Sequence, residues 1–245
     1  MVAVRYLIAL IFGTLWYGSV VIIAALFRRP HERQGVYERA PRGWARLLLT
    51  SAGVTVTVEG TEHLSQTDAQ VVVANHQSWF DILALFYVLP VELRFVAKKE
   101  LFAIPFFGWS LRALGHVRLD RHNLAAAIKA YEVASQYIRE QRLSVLVFPE
   151  GTRSRTGQLQ PFKAGPFVLA IQSGAPIVPV YVSGTFGILP KGSIRVRPSA
   201  VHVMVGPPIP TASLTLDDRV ALRDRARAEV ARLRAASVDA VRDAP

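Results

Sequence analysis

Two short polar stretches interrupt apolar runs in this sequence, and both carry residues able to move protons or grip anions. NHQSWFD (75–81) sets His76 five residues before Asp81. An imidazole titrates near neutrality, so a histidine can take up and return a proton at ordinary pH. A nearby carboxylate can hold one ring nitrogen as N–H and stabilise the imidazolium that forms. FPEGTRS (148–154) places Glu150, Gly151, Thr152 and Arg153 in a row. A guanidinium is a planar fork that matches phosphate oxygens, a glycine lets the backbone approach a ligand closely, and a glutamate can accept from a hydroxyl. Plainer readings exist for both. Asn75 can end a strand, Ser78 can cap the next helix, and Asp81 can sit in that helix's favourable first turn. Glu150 and Arg153 can merely pair across a solvated turn. Lys98 in AKKEL and Arg121 in LDR are further candidate phosphate ligands, although basic surface explains them as readily in a chain of net charge +11.

The elements around these stretches are legible from periodicity. VTVTVEG alternates as a strand does, VVVAN (71–75), RFVAK (94–98), SVLVF (144–148) and IVPVYV (177–182) read as buried strands, and HVRLD, IRVRP and VHVMVG as further strands. Residues 79–89, 123–141, 165–173 and 216–236 carry helical spacing, and IPFFGW opens another helix with proline near its first turn. Strands alternating with helices predict an α/β domain with a largely parallel central sheet flanked by helices. In such sheets ligands bind beyond the carboxyl ends of strands. NHQSWFD follows VVVA, and PEGTRS follows VLVF, so His76, Asp81, Glu150 and Arg153 are expected near one rim.

The amino terminus adds a different element. Residues 6–27 form 22 positions without a charge, long enough for a membrane helix. Arg28, Arg29 and Arg33 follow at once, which by the positive-inside rule puts the rest of the chain on the cytoplasmic side of a cell membrane. The stretch is too long for a usual signal-peptide core and lacks a clear small-x-small cleavage site. A full span and a helix dipping into one leaflet both remain open, since Gly13 and Gly18 weaken the helix and Trp16 and Tyr17 sit at its centre. Residues 32–51 read as a basic surface helix, interrupted near Pro41. The chain therefore divides into a membrane-anchoring part (1–51) and a catalytic domain (52–245).

Composition narrows the chemistry further. There is no cysteine, which excludes disulfides, thiolate zinc sites and a cysteine nucleophile. Arg outnumbers Lys 24 to 5, so the clustering of Lys98, Lys99 and Lys163 in two short segments stands out. The histidines at 31, 63, 116, 122 and 202 lack metal-ligand spacing, and neither a G-x-S-x-G elbow nor a P-loop is present, so no metal or cofactor is expected. The basic balance calls for an anionic partner.

NHQSWFD resembles the H-x4-D motif of the glycerophospholipid acyltransferases, and FPEGTRS, some 70 residues on, resembles their third motif. LGHVRLDR (114–121) is similar to the second and IVPVYV to the fourth, while AKKEL, IPFFG and PFKAG also look like family segments. The likeness covers roughly residues 52–206, with Arg118 where the family often has an apolar residue. It implies a membrane enzyme of phospholipid biosynthesis that moves a fatty acyl chain from acyl-CoA or acyl carrier protein to the sn-2 hydroxyl of lysophosphatidic acid, giving phosphatidic acid. It implies His76 as the base, Asp81 as its orienter, and Glu150, Gly151, Thr152 and Arg153, with Lys98 and Arg121, as binders of glycerol phosphate. Phe102, Phe106, Phe107 and Trp109 are candidates for an acyl groove. Another lysolipid acceptor (a lysophospholipid, glycerol 3-phosphate or a lyso-ornithine lipid) is an alternative, and so is a non-enzymatic binder of anionic lipid. The apolar amino terminus and the lack of an aromatic-basic recognition motif argue against nucleic acid as a partner.

Overall fold

A computed structural model describes residues 2–32, 34–120 and 124–242. Seven strands form one sheet: β1 (Thr55–Glu59), β2 (Val71–Ala74), β3 (Leu93–Lys98), β4 (Val117–Leu119), β5 (Ser144–Val147), β6 (Ile177–Ser183) and β7 (Ala200–Val205). Their order is β1-β7-β6-β2-β5-β3-β4. Every neighbouring pair is parallel except β6 with β7. This is the expected α/β architecture. The central strands are buried on both faces, and their side chains alternate between two cores: Val72 and Ala74 of β2 enter one, Val71 and Val73 the other. Continuous apolar runs such as VVVA are what a doubly covered strand requires.

The α-helices among the described residues are α1 (Val2–Leu26), α2 (Val36–Ala52), α3 (Phe80–Val88), α4 (Phe107–Ala113), α5 (Leu124–Gln141), α6 (Gly165–Ser173), α7 (Thr185–Ile188) and α8 (Arg219–Arg242). The first core takes residues of α2 and α3, and the second takes residues of α5, α6 and α8. α2 runs unbroken through Pro41, where the sequence suggests an interruption. The proline removes one donor early in the helix, while Ala45, Leu48, Leu49 and Ala52 of the same helix are buried against the sheet. The boundary expected near residue 51 falls between α2 and β1, and the core is continuous across it. IRVRP is not a strand. It belongs to a loop in which Ile194 is exposed, Val196 is buried, and the Arg197 N–H bonds Ile188 O instead of a neighbouring strand.

α1 meets α2 and α4 through its small residues. A Cβ on Gly13 would lie 2.7 Å from Leu47, and one on Gly18 2.5 Å from Phe106, so these glycines permit close helix approach. Trp44 Nε1 donates to Thr14 Oγ1 at 3.1 Å across the same contact. Val4, Leu7, Ile8, Ile11, Phe12, Leu15 and Trp16 face outward, exposed. The link between α1 and α2 is pinned by a buried guanidinium: Arg94, 1% exposed, donates to Glu92 and, at 2.8 Å, to Nδ1 of the surface residue His31.

Candidate active site

Adjacent parallel strands β6, β2, β5 and β3 end at one rim, and each delivers a polar segment there. Beyond β2, the Asn75 side chain continues the ladder to β6 by donating to Val182 O (2.9 Å) and accepting from Val182 N–H (2.7 Å). That clamp fixes where His76 leaves the sheet. His76 Nδ1 lies 2.8 Å from Asp81 Oδ2. The same oxygen accepts the N–H groups of Gln77 (2.6 Å) and Ser78 (2.8 Å), and Asp81 Oδ1 accepts the Thr185 hydroxyl. Asp81 is fully buried, and these four donors offset the cost of holding a carboxylate there. With Nδ1 occupied as a donor to Asp81, the imidazole presents Nε2 as its basic nitrogen. Asp81 sits in the first turn of α3, so the helix-start reading and the orienter reading hold together in one side chain.

The ring of His76 stacks on Phe148 with centroids 4.1 Å apart, and its backbone is held from the other motif. Glu150 Oε1 accepts the His76 N–H at 2.9 Å, Glu150 Oε2 accepts Gln160 Nε2 at 2.7 Å, and His76 O accepts the Ser154 N–H at 2.8 Å. Glu150 is thus turned toward His76 and Gln160 and does not line the cavity below, whereas the sequence suggests a pairing with Arg153 or a contact with a ligand. Burial pushes its carboxyl up from the ordinary 4.5 to about 6, against the opposing pull of these hydrogen bonds.

One cavity of about 670 Å³ collects the side chains that face the rim. His76 lines it with Gly151, Thr152 and Arg153 beyond β5, Lys98 at the end of β3, and Lys163 and Lys191. Gly151 has φ +72°, a conformation that favours glycine, and a Cβ there would crowd the flexible Lys163 side chain at 3.0 to 3.2 Å. Lys191 Nζ donates to Thr152 Oγ1 at 2.7 Å. Four cationic side chains therefore surround a space that opens on the imidazole, an arrangement suited to an oxygen-rich anion carrying a hydroxyl. Lys98 also lies 3.7 Å from Glu100, half exposed. Arg121 lies outside the described residues. Arg118 is exposed and lines a separate recess with Asp120 and Lys129, away from His76.

Trp79, Ile82 and Phe95 line both this cavity and a second, narrow apolar cleft that runs between α1, α2, α3 and α4. Phe107, Trp44 and Leu111 are among its walls. Of the aromatics expected in an acyl groove, Phe107 lines it, Phe102 is core, Phe106 packs by Gly18, and Trp109 faces outward. Sequence reasoning missed Thr185, Gln160 and Lys191. Thr185 and Lys191 are brought in by the fold from beyond β6 and α7, Gln160 folds back within the loop that carries Glu150, and SGT after IVPVYV is the one sequence cue, a hydroxyl directly beyond a buried strand. Among the described residues no cluster of His, Asp and Glu suited to a metal ion occurs.

The acyltransferase family model matches residues 55–183, just over half of the chain, from β1 through β6. The chain is 40% identical over 171 residues to the 1-acyl-sn-glycerol-3-phosphate acyltransferase of Limnanthes douglasii, covering 70% of this chain and 60% of the plant protein. It is 39% identical over 175 residues to the human 1-acyl-sn-glycerol-3-phosphate acyltransferase alpha, covering 71% and 62%. With the yeast enzyme of that name, from Saccharomyces cerevisiae, it shares 35% identity over 215 residues, covering 84% and 67%. The chain thus spans about three fifths of the length of the plant and human relatives. Its fold matches the crystal structure of the 1-acyl-sn-glycerophosphate (LPA) acyltransferase from Thermotoga maritima with a TM-score of 0.76 and 27% identity, over 100% of this chain and 99% of that one. With the family's matched region spanning β1 through β6 and every lining residue of the His76 cavity named above except Lys191, the chain belongs to the acyltransferase family.

Proposed function

We propose that this protein transfers a fatty acyl chain from an acyl-CoA or acyl carrier protein thioester to the sn-2 hydroxyl of 1-acyl-glycerol 3-phosphate, giving phosphatidic acid. The observation that carries this reading is the opening of one cavity onto three features: an imidazole held by a buried carboxylate, a ring of cations, and an apolar cleft. The phosphate binds Arg153 and Lys98, with Lys163 and Lys191 at the same rim. The glycerol hydroxyl then lies against His76. Nε2 takes its proton as the oxygen attacks the thioester carbonyl, and Asp81 stabilises the imidazolium. The C–S bond breaks as the ester C–O bond is completed, and the imidazolium returns its proton to the leaving thiolate. The substrate hydroxyl is the nucleophile, so the enzyme supplies none, consistent with a cysteine-free chain. The apolar lining of the cleft is the surface we assign to the acyl chain. Glu150 acts by fixing the backbone of His76 rather than by touching substrate.

α1 is 25 residues of apolar helix, long enough to cross a membrane by length and composition. Because one side of it packs on α2 and α4, the reading we favour seats it in a single leaflet, with its outward apolar face in lipid and the catalytic unit on the cytoplasmic side. The test is release of free thiol from acyl-CoA by the purified protein, with and without lysophosphatidic acid, followed by product identification and a panel of other lysolipid acceptors. Acceptor-dependent thiol release with phosphatidic acid as product is expected. Thiol release that responds better to a different lysolipid would replace the acceptor named here.

A further inference from the structure

The loop between α7 and β7 sends Lys191 to the rim of the cavity, while its outer part, residues 193–198, has no part in the chemistry above and carries an unusual surface. Ile194 is 96% exposed, more than any other large apolar residue described, and Arg195 and Arg197 beside it are also exposed. An isolated exposed isoleucine needs no explanation by itself. Here three further observations give it a direction. Val196 is buried in the same apolar cluster against which Val2, Tyr6 and Leu10 of α1 pack. Pro198 and the guanidinium of Arg5 both approach Gly53, within 3.3 and 3.7 Å of where its Cβ would stand, so the loop lies near the amino-terminal end of α1. The root of the loop touches the site: Leu189 O accepts the Ser78 hydroxyl at 2.8 Å, and Lys191 bonds Thr152. An apolar tip flanked by guanidiniums, continuous with a helix that presents a row of outward apolar residues, is the chemistry of an interfacial lipid contact.

We propose that residues 189–198 form a second membrane-contacting element, in which Ile194 enters the lipid interface and Arg195 and Arg197 engage anionic headgroup phosphates. The loop then docks the rim of the cavity onto a negatively charged surface beside α1, which brings a lipid acceptor's phosphate to the cationic side of the site. This rests on the reading of α1 as a membrane element, and not on the identity of the acceptor.

The parent chain has no cysteine, so single-cysteine labelling is clean. Ile194→Cys, carrying an environment-sensitive fluorophore in full-length protein in nanodiscs, is compared with Ser213→Cys, an exposed site beside Leu214, which packs on the opposite core. A blue shift and quenching by nitroxide-labelled lipid are expected at 194 and not at 213, and more strongly with phosphatidylglycerol than with phosphatidylcholine alone. A probe at 194 as wet as that at 213 in both lipids overturns the proposal. As a second measurement, Arg195→Glu with Arg197→Glu is expected to raise the apparent KM for vesicle-presented lysophosphatidic acid about 30-fold in anionic vesicles at low salt. Turnover of a short-chain, freely soluble acceptor should be unchanged. Equal losses on both acceptors would put these residues in the site instead of on the membrane and contradict the proposal. If the parent protein transfers no acyl group at all, the proposed function fails, while the fluorescence still decides the loop.

Discussion

The loop after β2 and the loop after β5 lie side by side on one rim, and they are built in opposite ways. Around His76 and Asp81, each oxygen of the carboxylate is bonded, Asn75 is clamped to β6, and the backbone of His76 is held on both sides. Around Arg153, Lys98 and Lys191, cations line a space of about 670 Å³ with far fewer bonds among themselves. The difference separates two tasks. The proton-handling group must keep one tautomer and one direction before substrate arrives, because reorganisation during reaction adds to the barrier. The anion-binding groups gain most when the ligand itself completes their bonding, which makes them determinants of affinity more than of fold.

That contrast can be broken by substitution, beginning where the effect should be greatest. Asp81→Ala leaves the N–H groups of Gln77 and Ser78 and the Thr185 hydroxyl without their acceptor, so both halves of the protein's economy suffer: kcat should fall by about 10²–10⁴, and stability by roughly 2–4 kcal/mol by thermal or denaturant unfolding in detergent. Arg153→Ala should do the reverse. An expected rise in KM for the phosphorylated acceptor of about 10- to 100-fold would accompany near-parent kcat and a stability change within about 0.5 kcal/mol. Should Arg153→Ala unfold the protein, or leave KM untouched, the division of labour drawn here is wrong. Thr185→Val removes one hydroxyl from Asp81 Oδ1 and should cost about 1–2 kcal/mol of stability, with a loss of kcat smaller than that of Asp81→Ala.

Glu150 gives the most specific signal, one read only as a dependence on pH. Its pKa rises from 4.5 to about 6 through burial, so the folded protein binds that proton more tightly than the unfolded chain does. Its contribution to stability is present below about pH 4.5 and is lost as pH rises through about 6. Relative to Glu150→Gln, the parent's unfolding free energy should therefore drop by about 2 kcal/mol between pH 4.5 and 7. Parallel pH profiles for the two proteins would show that burial does not govern this carboxyl.

Much of this was readable before any coordinates. VVVA and VLVF announce doubly buried strands, and in a parallel sheet their ends must share a rim, which is enough to bring His76 and Arg153 to one cavity. What the strands cannot announce is which partners arrive from elsewhere. Thr185 is 104 residues from Asp81, and it meets that carboxylate because β6 lies next to β2. Glu150 reads as a ligand from its place in the motif, while the fold turns its oxygens to His76 and Gln160. IRVRP alternates as a strand would, but Ile194 and Val196 share parity and take opposite environments, so the chain must turn between them. Pro41 suggests a break, yet α2 continues through it, and the apolar face that follows is buried in the core.

The central claim is that His76 removes the proton from an acceptor bound by its phosphate in the same cavity. It is met most directly by lysophosphatidic-acid-dependent thiol release from acyl-CoA, measured side by side for the parent and for purified, folded His76→Ala. A fall in kcat of about 10²–10⁴ with an unchanged unfolding midpoint is the expected result. Turnover close to the parent's would contradict the claim.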